Sequence, residues 1–452
     1  MPSADDVVEP GCPGCEKLRL MLNEVLERLA VAEKRLEELE REAHRQAAPF
    51  RRPERKRKQD KGKPGRPKGH PPAHREPPPQ VDEQAEVPLE CCPHCAGPVE
   101  NVRPVVQLIE DIPVVITRHI RLTTYRGHCP HCGVVHSTHP EQVSTAVGAA
   151  GTHLGRNALA LAASLNKQFG LPMRKVCAIL QQHFGLSLTP GGLSQALVRM
   201  AGKLQQPYQE LQDAVRHSAV IHADETGWWL GGKSAWLWVF TNPQLTLYAI
   251  DNRSQQVVRR ILGDDYPGVL VSDCLASYDP HPGRKSKCCA HHLKAISEAL
   301  EQAPDSEFLY DIRWFFKAAI MLHKLREDLG ADRYWDKVAL LERRLDELLE
   351  PPRGHAAEIK IRNRLSKHRP SLLTFLHVAG VDPTNNLAER QLRPAVIARK
   401  LSCGNKSEAG KAAFEVLASL AATCRQQGRS FTELVAGGLS LGLPPPPPLA
   451  PD

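Results

Sequence analysis

Nothing in the 452-residue sequence resembles a membrane span or a secretion signal: no apolar run approaches the ~20 residues needed to cross a bilayer, and no apolar segment opens the chain. Those absences lead us to expect a soluble, cytoplasmic protein with no membrane partner. Charge of one sign is not in large excess either, since 59 Lys and Arg stand against 51 Asp and Glu, a net of +8. So small a surplus makes its distribution along the chain more informative than its sum. The 13 cysteines come without a leader to an oxidising compartment, and several pair as CxxC. That pattern favours metal ligation by reduced thiols over disulfides. The length admits about two or three domains, each with its own core.

The first periodic segment, residues 16–47, has Leu22, Leu29, Leu36 and Ala43 seven apart, with Val25, Ala32 and Leu39 offset by three. Charged residues fill the positions between, as in a coiled coil through which the chain would self-associate. The alternative is a single amphipathic helix docked on its own chain. Residues 48–86 read as a basic linker, because RRPERKRKQDKGKPGRPKGHPPAHREPPPQ contains no large apolar side chain and cannot offset its ordering entropy by burial. Its cations would attract DNA phosphates, and GRPKG, with Arg66 and Lys68, looks like a minor-groove-inserting sequence. A merely solubilising tether is the competing reading.

Residues 87–140 contain two near copies of one knuckle, Cys92-Pro-His-Cys95 and Cys129-Pro-His-Cys132. Four thiolates from two tight turns make a tetrahedral structural Zn²⁺ site. The alternating apolar pattern from Val102 to His128 predicts strands between them, the filling of a zinc ribbon. His94, His131 and His136 are substitute ligands, Cys91 reads as a bystander, and Cys12 and Cys15 form a third CxxC without a partner pair.

A helical region is predicted over 150–216. Within it one helix ends at the Gly185–Thr189 turn and a second begins at Thr189-Pro190, where Thr caps and Pro fits the first turn. This is either a helix-turn-helix whose second helix, with Gln195 and Arg199, would enter a major groove, or an ordinary helical hairpin.

From Ser218 the pattern changes to short β-favouring runs. AVIHAD, SAWLWVFT and LTLYAI precede the helix VVRRIL and a fourth strand GVLVSD, the order of a ribonuclease H-like α/β core. Two strands are expected to end in acids, Asp224 and Asp273. A strand end holds a carboxylate rigidly toward solvent and a metal, although a lone strand-terminating Asp is ordinarily a turn residue. In-line displacement at phosphorus is served by two Mg²⁺ ions held by such carboxylates. The third carboxylate is Glu389 in PTNNLAERQLRPAVIARK, or its rivals Glu408 and Glu415 in the next helix. Arg393 shares the helix face of Glu389 as a phosphate contact or its ion-pair partner, and Pro394 is expected to end or kink that helix.

HADETGWW, VLVSDCLASYD, CCAHHLKAI and the long stretch from PTNNLAERQ to AATCRQQG resemble the IS66 family of bacterial insertion-sequence transposases. The resemblance extends over essentially the whole chain. It implies a DDE transposase with a ribonuclease H-like core and Mg²⁺ or Mn²⁺ on the triad Asp224, Asp273 and Glu389. His291, Arg390, Arg393 and Lys400 are then candidate phosphate contacts. The core would occupy 217–297, a helical insertion 298–381, the C-terminal core helices 382–436 and a Pro-rich tail 437–452. The implied partners are DNA, both element ends and target, a second copy or more of this chain on that DNA, and accessory proteins of the same element in a bacterial cytoplasm or nucleoid. Cys289, where relatives more often carry Trp, and Cys12/Cys15 depart from the family pattern without touching the triad. The competing function is a catalytically inactive relict acting as a zinc-containing DNA-binding regulator, which would not need three filled carboxylate positions.

Overall fold

Cys129 and Cys132 flank the turn of a short antiparallel hairpin, β1 (Arg126–Cys129) and β2 (Gly133–His136), with Cys129 opposite Gly133. In the computed structural model, residues 76–112, 115–145, 152–441 and 449 are described. The expected coiled coil, Cys12, Cys15, Arg66, Lys68 and most of the Pro-rich tail lie outside them. The chain divides into two compact units, Met1–Pro113 and Val114–Asp452. Strands expected from Val102 to His128 form only at the Arg126 end among the described residues, and Val105, Val106, Ile109 and Ile112 are 83–84% exposed. Alternation makes a strand only where a neighbour takes the backbone hydrogen bonds and covers one face, and here neither is supplied.

Four helices follow, α1 (Arg156–Lys167), α2 (Met173–Phe184), α3 (Pro190–Lys203) and α4 (Gln205–His217). The boundary between α2 and α3 follows the local chemistry. Gly185 takes the left-handed conformation at φ 65° after α2, and Thr189 Oγ1 accepts from the Gly192 N–H at 3.0 Å before α3. Val176 and Leu180 of α2 and Leu193, Leu197 and Met200 of α3 are buried together, while Gln195 and Arg199 remain exposed.

The central sheet turns at Gly231 and Gly232, whose φ values of 57° and 83° suit a two-residue hairpin. They join β3 (Val220–Leu230) to β4 (Lys233–Thr241), and β5 (Thr246–Asp251) completes an antiparallel meander. After α5 (Gln255–Leu262), β6 (Val269–Ser272) and β7 (Arg284–Lys287) add parallel strands beside β3. The order is β5-β4-β3-β6-β7, a mixed sheet. β7 was not legible beforehand, because RKSK carries no apolar pattern. β3 does not end at Asp224 as expected: it runs six residues further as the hairpin arm, with Asp224 opposite Val239. The Thr226, Trp228 and Leu230 side chains continue its alternation.

Between β7 and the C-terminal helices run α6 (Cys289–Gln302), α7 (Glu307–Lys324), α8 (Ala331–Leu349), α9 (Ala356–His368) and α10 (Thr374–His377). Their apolar faces pack with Val269 and Val271. α11 (Asn386–Ser402), α12 (Glu408–Gln426) and α13 (Phe431–Leu439) close the fold. Pro394 does not end α11, which continues eight residues past it. The ring removes one helical hydrogen bond, and Ala388, Leu392 and Ala395 anchor both sides of it against β3 and β4 residues.

α12 also solves the problem of the open sheet edge at β5. Glu415, Ser419 and Thr423, one turn apart, accept from the N–H groups of Ile250 (2.5 Å), Tyr248 (2.8 Å) and Thr246 (3.1 Å). A helix stripe thus stands in for a missing strand. The hairpin tip is held by the α11–α12 turn: Asn405 N–H donates to Trp229 O and Trp228 Nε1–H to Asn405 Oδ1, each at 2.9 Å. Gly404 is required there, since a Cβ would lie 2.4 Å from Trp229 O.

Candidate active site

β3 and β6 pair in parallel as Val220↔Val269, Ile221↔Leu270 and His222↔Val271. Carrying that register on by two residues sets Asp224 level with Asp273, just where the strands part. Alternation then assigns faces. Ala223 packs into the core on the α1–α5 side, whereas Val239, opposite Asp224, packs with Ala388 and Leu392 of α11. Asp224 therefore faces α11, and Glu225 faces away. Glu225 is held by Arg253 at 2.7 Å and by the buried Tyr278 hydroxyl at 2.8 Å. The two adjacent carboxylates thus differ: Glu225 is paired with Arg253 and Tyr278, and Asp224 has no side-chain partner among the described residues.

Glu389 reaches this neighbourhood because of Asn385. Fully buried, Asn385 donates from Nδ2 to Ala223 O at 2.8 Å, and its Oδ1 lies 3.3 Å from His222 Nδ1. Its own N–H donates to Cys288 Sγ at 3.2 Å. These contacts pin the start of α11 to β3 one residue before Asp224, and Glu389 sits in the first turn of that helix. Of its sequence rivals, Glu415 is committed to the sheet edge and Glu408 is exposed.

Burial raises the Asp224 carboxyl to about 7, and the charges of Glu225, Asp273 and Glu389 push the same way, against a backbone N–H from Glu225. Asp273 at the end of β6 and Glu389 on α11 therefore lie within electrostatic reach of Asp224. Asp273 is oriented by the Leu275 N–H, which donates to its Oδ1 at 2.9 Å. Behind it, the buried Lys287 ammonium donates to Asp273 O at 2.9 Å and pairs with Asp279 at 3.1 Å. Burial opposes the charge on Asp279, yet Lys367 and Lys287 hold its carboxyl below the usual range. The sequence marks Asn385 and Asn386 as suited to a helix start, which is where α11 begins, but gives no sign of the Asn385 bond to Ala223; Lys287 leaves only the trace of a Lys at the edge of a polar run.

His222 is buried, which lowers its pKa. His291 lies in the first turn of α6, with Nδ1 buried and unpartnered. Its neighbour His292 stacks on Phe316 at 5.3 Å between centroids and is pushed down to about 3 by burial, so it is neutral. Arg390, Arg393 and Lys400 are all exposed on α11, and no ion pair joins Arg393 to Glu389 among the described residues. Trp228 is buried against Phe414 at 5.0 Å, whereas Trp229 is half exposed.

No group of three His, Cys, Asp or Glu side chains among the described residues is gathered so as to hold a metal ion. The donor chemistry at Asp224 nevertheless suits a hard divalent cation: all-oxygen donors, mutual repulsion that a cation would relieve, and no requirement for many protein ligands, because Mg²⁺ keeps several waters. The two cysteine knuckles have a shared character of their own. Backbone N–H groups of His94 and Cys95 lower the Cys92 thiol, and those of Cys132 and His131 lower Cys129. Hydrogen bonds to sulfur favour thiolate, the form that binds zinc. The knuckles lie one in each compact unit.

The fold is a mixed α/β one in which β3, the end of β6 and α11 carry Asp224, Asp273 and Glu389. Residues 151–413 match the Transposase IS66 family, and the chain belongs to that family. It is 26% identical over 185 residues to the uncharacterized protein y4jO of Sinorhizobium fredii (strain NBRC 101917 / NGR234), which covers 40% of this chain and 54% of that protein. It is 25% identical over 303 residues to the uncharacterized protein y4qI of the same organism, covering 57% of this chain and 54% of that protein. The chain thus spans about half the length of the curated relatives it matches. Among the described residues no helix is long and apolar enough to cross a membrane.

Proposed function

We propose that this transposase-family protein is a metal-dependent DDE transposase with a ribonuclease H-like core. It binds the terminal inverted repeats of its element, cleaves the 3′ ends and joins them to target DNA. The observation that carries this reading is the register that sets Asp224 level with Asp273 where β3 and β6 part, with Glu389 in the first turn of the helix that Asn385 pins to β3. The sheet order β5-β4-β3-β6-β7, three antiparallel strands followed by two parallel ones, supports the same core.

Asp224 and Asp273 would hold Mg²⁺ or Mn²⁺, with Glu389 completing the donor set, and the bound metal would supply activation of a water oxygen at neutral pH and charge to offset that on the leaving oxygen. In cleavage, a water oxygen bonds to phosphorus as the P–O3′ bond breaks, and the departing 3′ oxygen takes up a proton. In joining, that 3′ hydroxyl attacks a target phosphate, and a target 3′ hydroxyl leaves. The chain's own task is placement. Lys287 braces the end of β6 through the Asp273 carbonyl, Asn385 sets α11, and Tyr278 with Arg253 keeps Glu225 out of the cluster. Arg390, Arg393 and Lys400 project from the helix carrying Glu389 and contact DNA phosphates. Arg199 and Gln195 on α3 face solvent and meet the element end. The coiled coil pairs two copies, so that two ends are cut together, and zinc on Cys92, Cys95, Cys129 and Cys132 orders the N-terminal DNA-binding half.

Strand joining of a labelled element end in Mg²⁺, wild type against Asp224→Ala, tests the reading. Joining is expected only for the wild type. Activity retained in the variant would remove Asp224 from the chemistry, and end binding without joining by the wild type in either metal would point to the inactive regulator.

A further inference from the structure

One face of α7 is left uncovered. Tyr310, Trp314, Lys317, Ala318 and Met321 recur along it at helical spacing and Leu325 follows at the C-cap; all six are exposed, Trp314 to 65% and Met321 to 56%. The opposite face, with Phe308, Ile312, Phe315 and Phe316, is buried in the core. On α8, Arg344 pairs with Asp311 of α7 at 3.0 Å, and Leu340, one turn before Arg344, is 58% exposed and widens the patch. These side chains leave open roughly 500 Å² of largely apolar surface, a size at which a patch marks an interaction site.

The order of residues along the stripe selects the partner. Measured from the midpoint between Lys317 and Ala318, Trp314 and Met321 lie equally far on either side, and so do Tyr310 and Leu325. An aromatic half thus has an aliphatic half of matching length, so an antiparallel second copy sets Trp314 on Met321 and Tyr310 on Leu325, twice over, about a two-fold axis. A ring against a thioether is a favourable pair, and the small Ala318 beside the axis lets the helices approach. We propose that α7 pairs antiparallel with α7 of a second copy of this chain through this stripe. The pair covers about 1,000 Å² in total, the lower bound for a specific interface, so it is weak alone and firm between copies already held together. It is a contact separate from the coiled coil expected at residues 16–47. DNA fits the stripe less well, since a strand carries one charge per nucleotide and the stripe offers one cation. That cation, Lys317, lies 5.2 Å from the Trp314 ring centroid, with no ion pair among the described residues. It stands beside the axis, where two copies bring like charges together.

Sedimentation equilibrium of the full-length chain tests the interface, with Leu29→Glu and Leu36→Glu in every sample so that a coiled coil does not contribute. Dimers with a Kd on the order of 10 µM are expected. Trp314→Glu and Met321→Glu should each weaken them at least about thirtyfold, with an unchanged melting temperature because both side chains are exposed. Trp314→Glu combined with Met321→Lys should recover part of that loss, since the antiparallel register sets each new acid on the other copy's new base. Lys317→Met should tighten the dimer about twofold or more by removing the repulsion at the axis. Absence of self-association, indifference to both single Glu variants, or failure of the paired variant to recover any of the loss overturns the proposal. Lys317→Met weakening element-end DNA while leaving self-association unchanged would assign the face to DNA and overturn it as well.

Discussion

The side-chain amide of Asn385 donates to the carbonyl of Ala223 at 2.8 Å. That bond couples the start of α11 to the strand residue beside Asp224, and so couples two members of the acidic cluster. Asn385→Ala orphans a buried carbonyl, at a cost of about 1–3 kcal/mol, and frees the helix start. Urea denaturation should show that loss, and strand joining should fall at least about tenfold with element-end affinity retained. Full joining activity in the variant would rule out a positioning role.

Asp224 makes stability depend on pH in a defined direction. Its carboxyl ionises near 4 in an unfolded chain and at about 7 in the folded one. Between those values the folded protein holds a proton that the unfolded chain has released, so this contribution is complete below about pH 4 and is lost as pH rises to about 7. Asp224→Asn should therefore be more stable than wild type at pH 8, by an upper bound on the order of 4 kcal/mol, and no more stable at pH 4. Mg²⁺ should raise the wild-type melting temperature at pH 8 and far less at pH 5, where the proton competes. Thermal melts at these pH values, with and without Mg²⁺, decide it.

Glu389 and Glu415 separate chemistry from architecture. Glu389→Gln should reduce strand joining by at least ~10²-fold and leave stability within about 0.5 kcal/mol. Glu415→Ala should cost about 1–3 kcal/mol by exposing the Ile250 N–H in a buried edge, whereas Glu415→Gln keeps an acceptor and should restore most of it. Joining by these Glu415 variants, assayed well below their melting temperatures, should remain close to wild type.

The knuckles make a separate prediction about zinc. The full chain should carry about one zinc per protein molecule, measured by elemental analysis after dialysis. Cys92→Ser and Cys129→Ser should each abolish it, and Cys91→Ser should not. Zinc retained in both single variants would exclude a shared four-cysteine site.

Local chemistry was the legible part of the fold. The α2–α3 boundary follows from Gly185, Thr189 and Pro190, because caps act over a few residues. The three strands of the meander, α5 and β6 follow from apolar runs between turn residues. β7 was hidden because RKSK is polar, and what lets Lys287 be buried there is a contact rather than a pattern: Lys287 pairs with Asp279 and Lys285 donates to Asp279 O. Asp224 as a strand terminus was misplaced for a related reason. Acidic residues suggest a strand's end, but β4 supplies a partner for every residue of β3 from His222 to Leu230.

By itself, then, the sequence determined which residues carry charge and sulfur, where helices start, and which carboxylates stand beside apolar runs, since these depend on residue type and near neighbours. Only the tertiary structure decided that Glu225 is paired with Arg253 and Tyr278 while Asp224 faces α11, that Asn385 holds α11 against β3, and that Glu415 covers a sheet edge. Each of those depends on contacts between segments far apart in the chain, and the free energy of burying a charge or an amide is set by what that folding brings beside it.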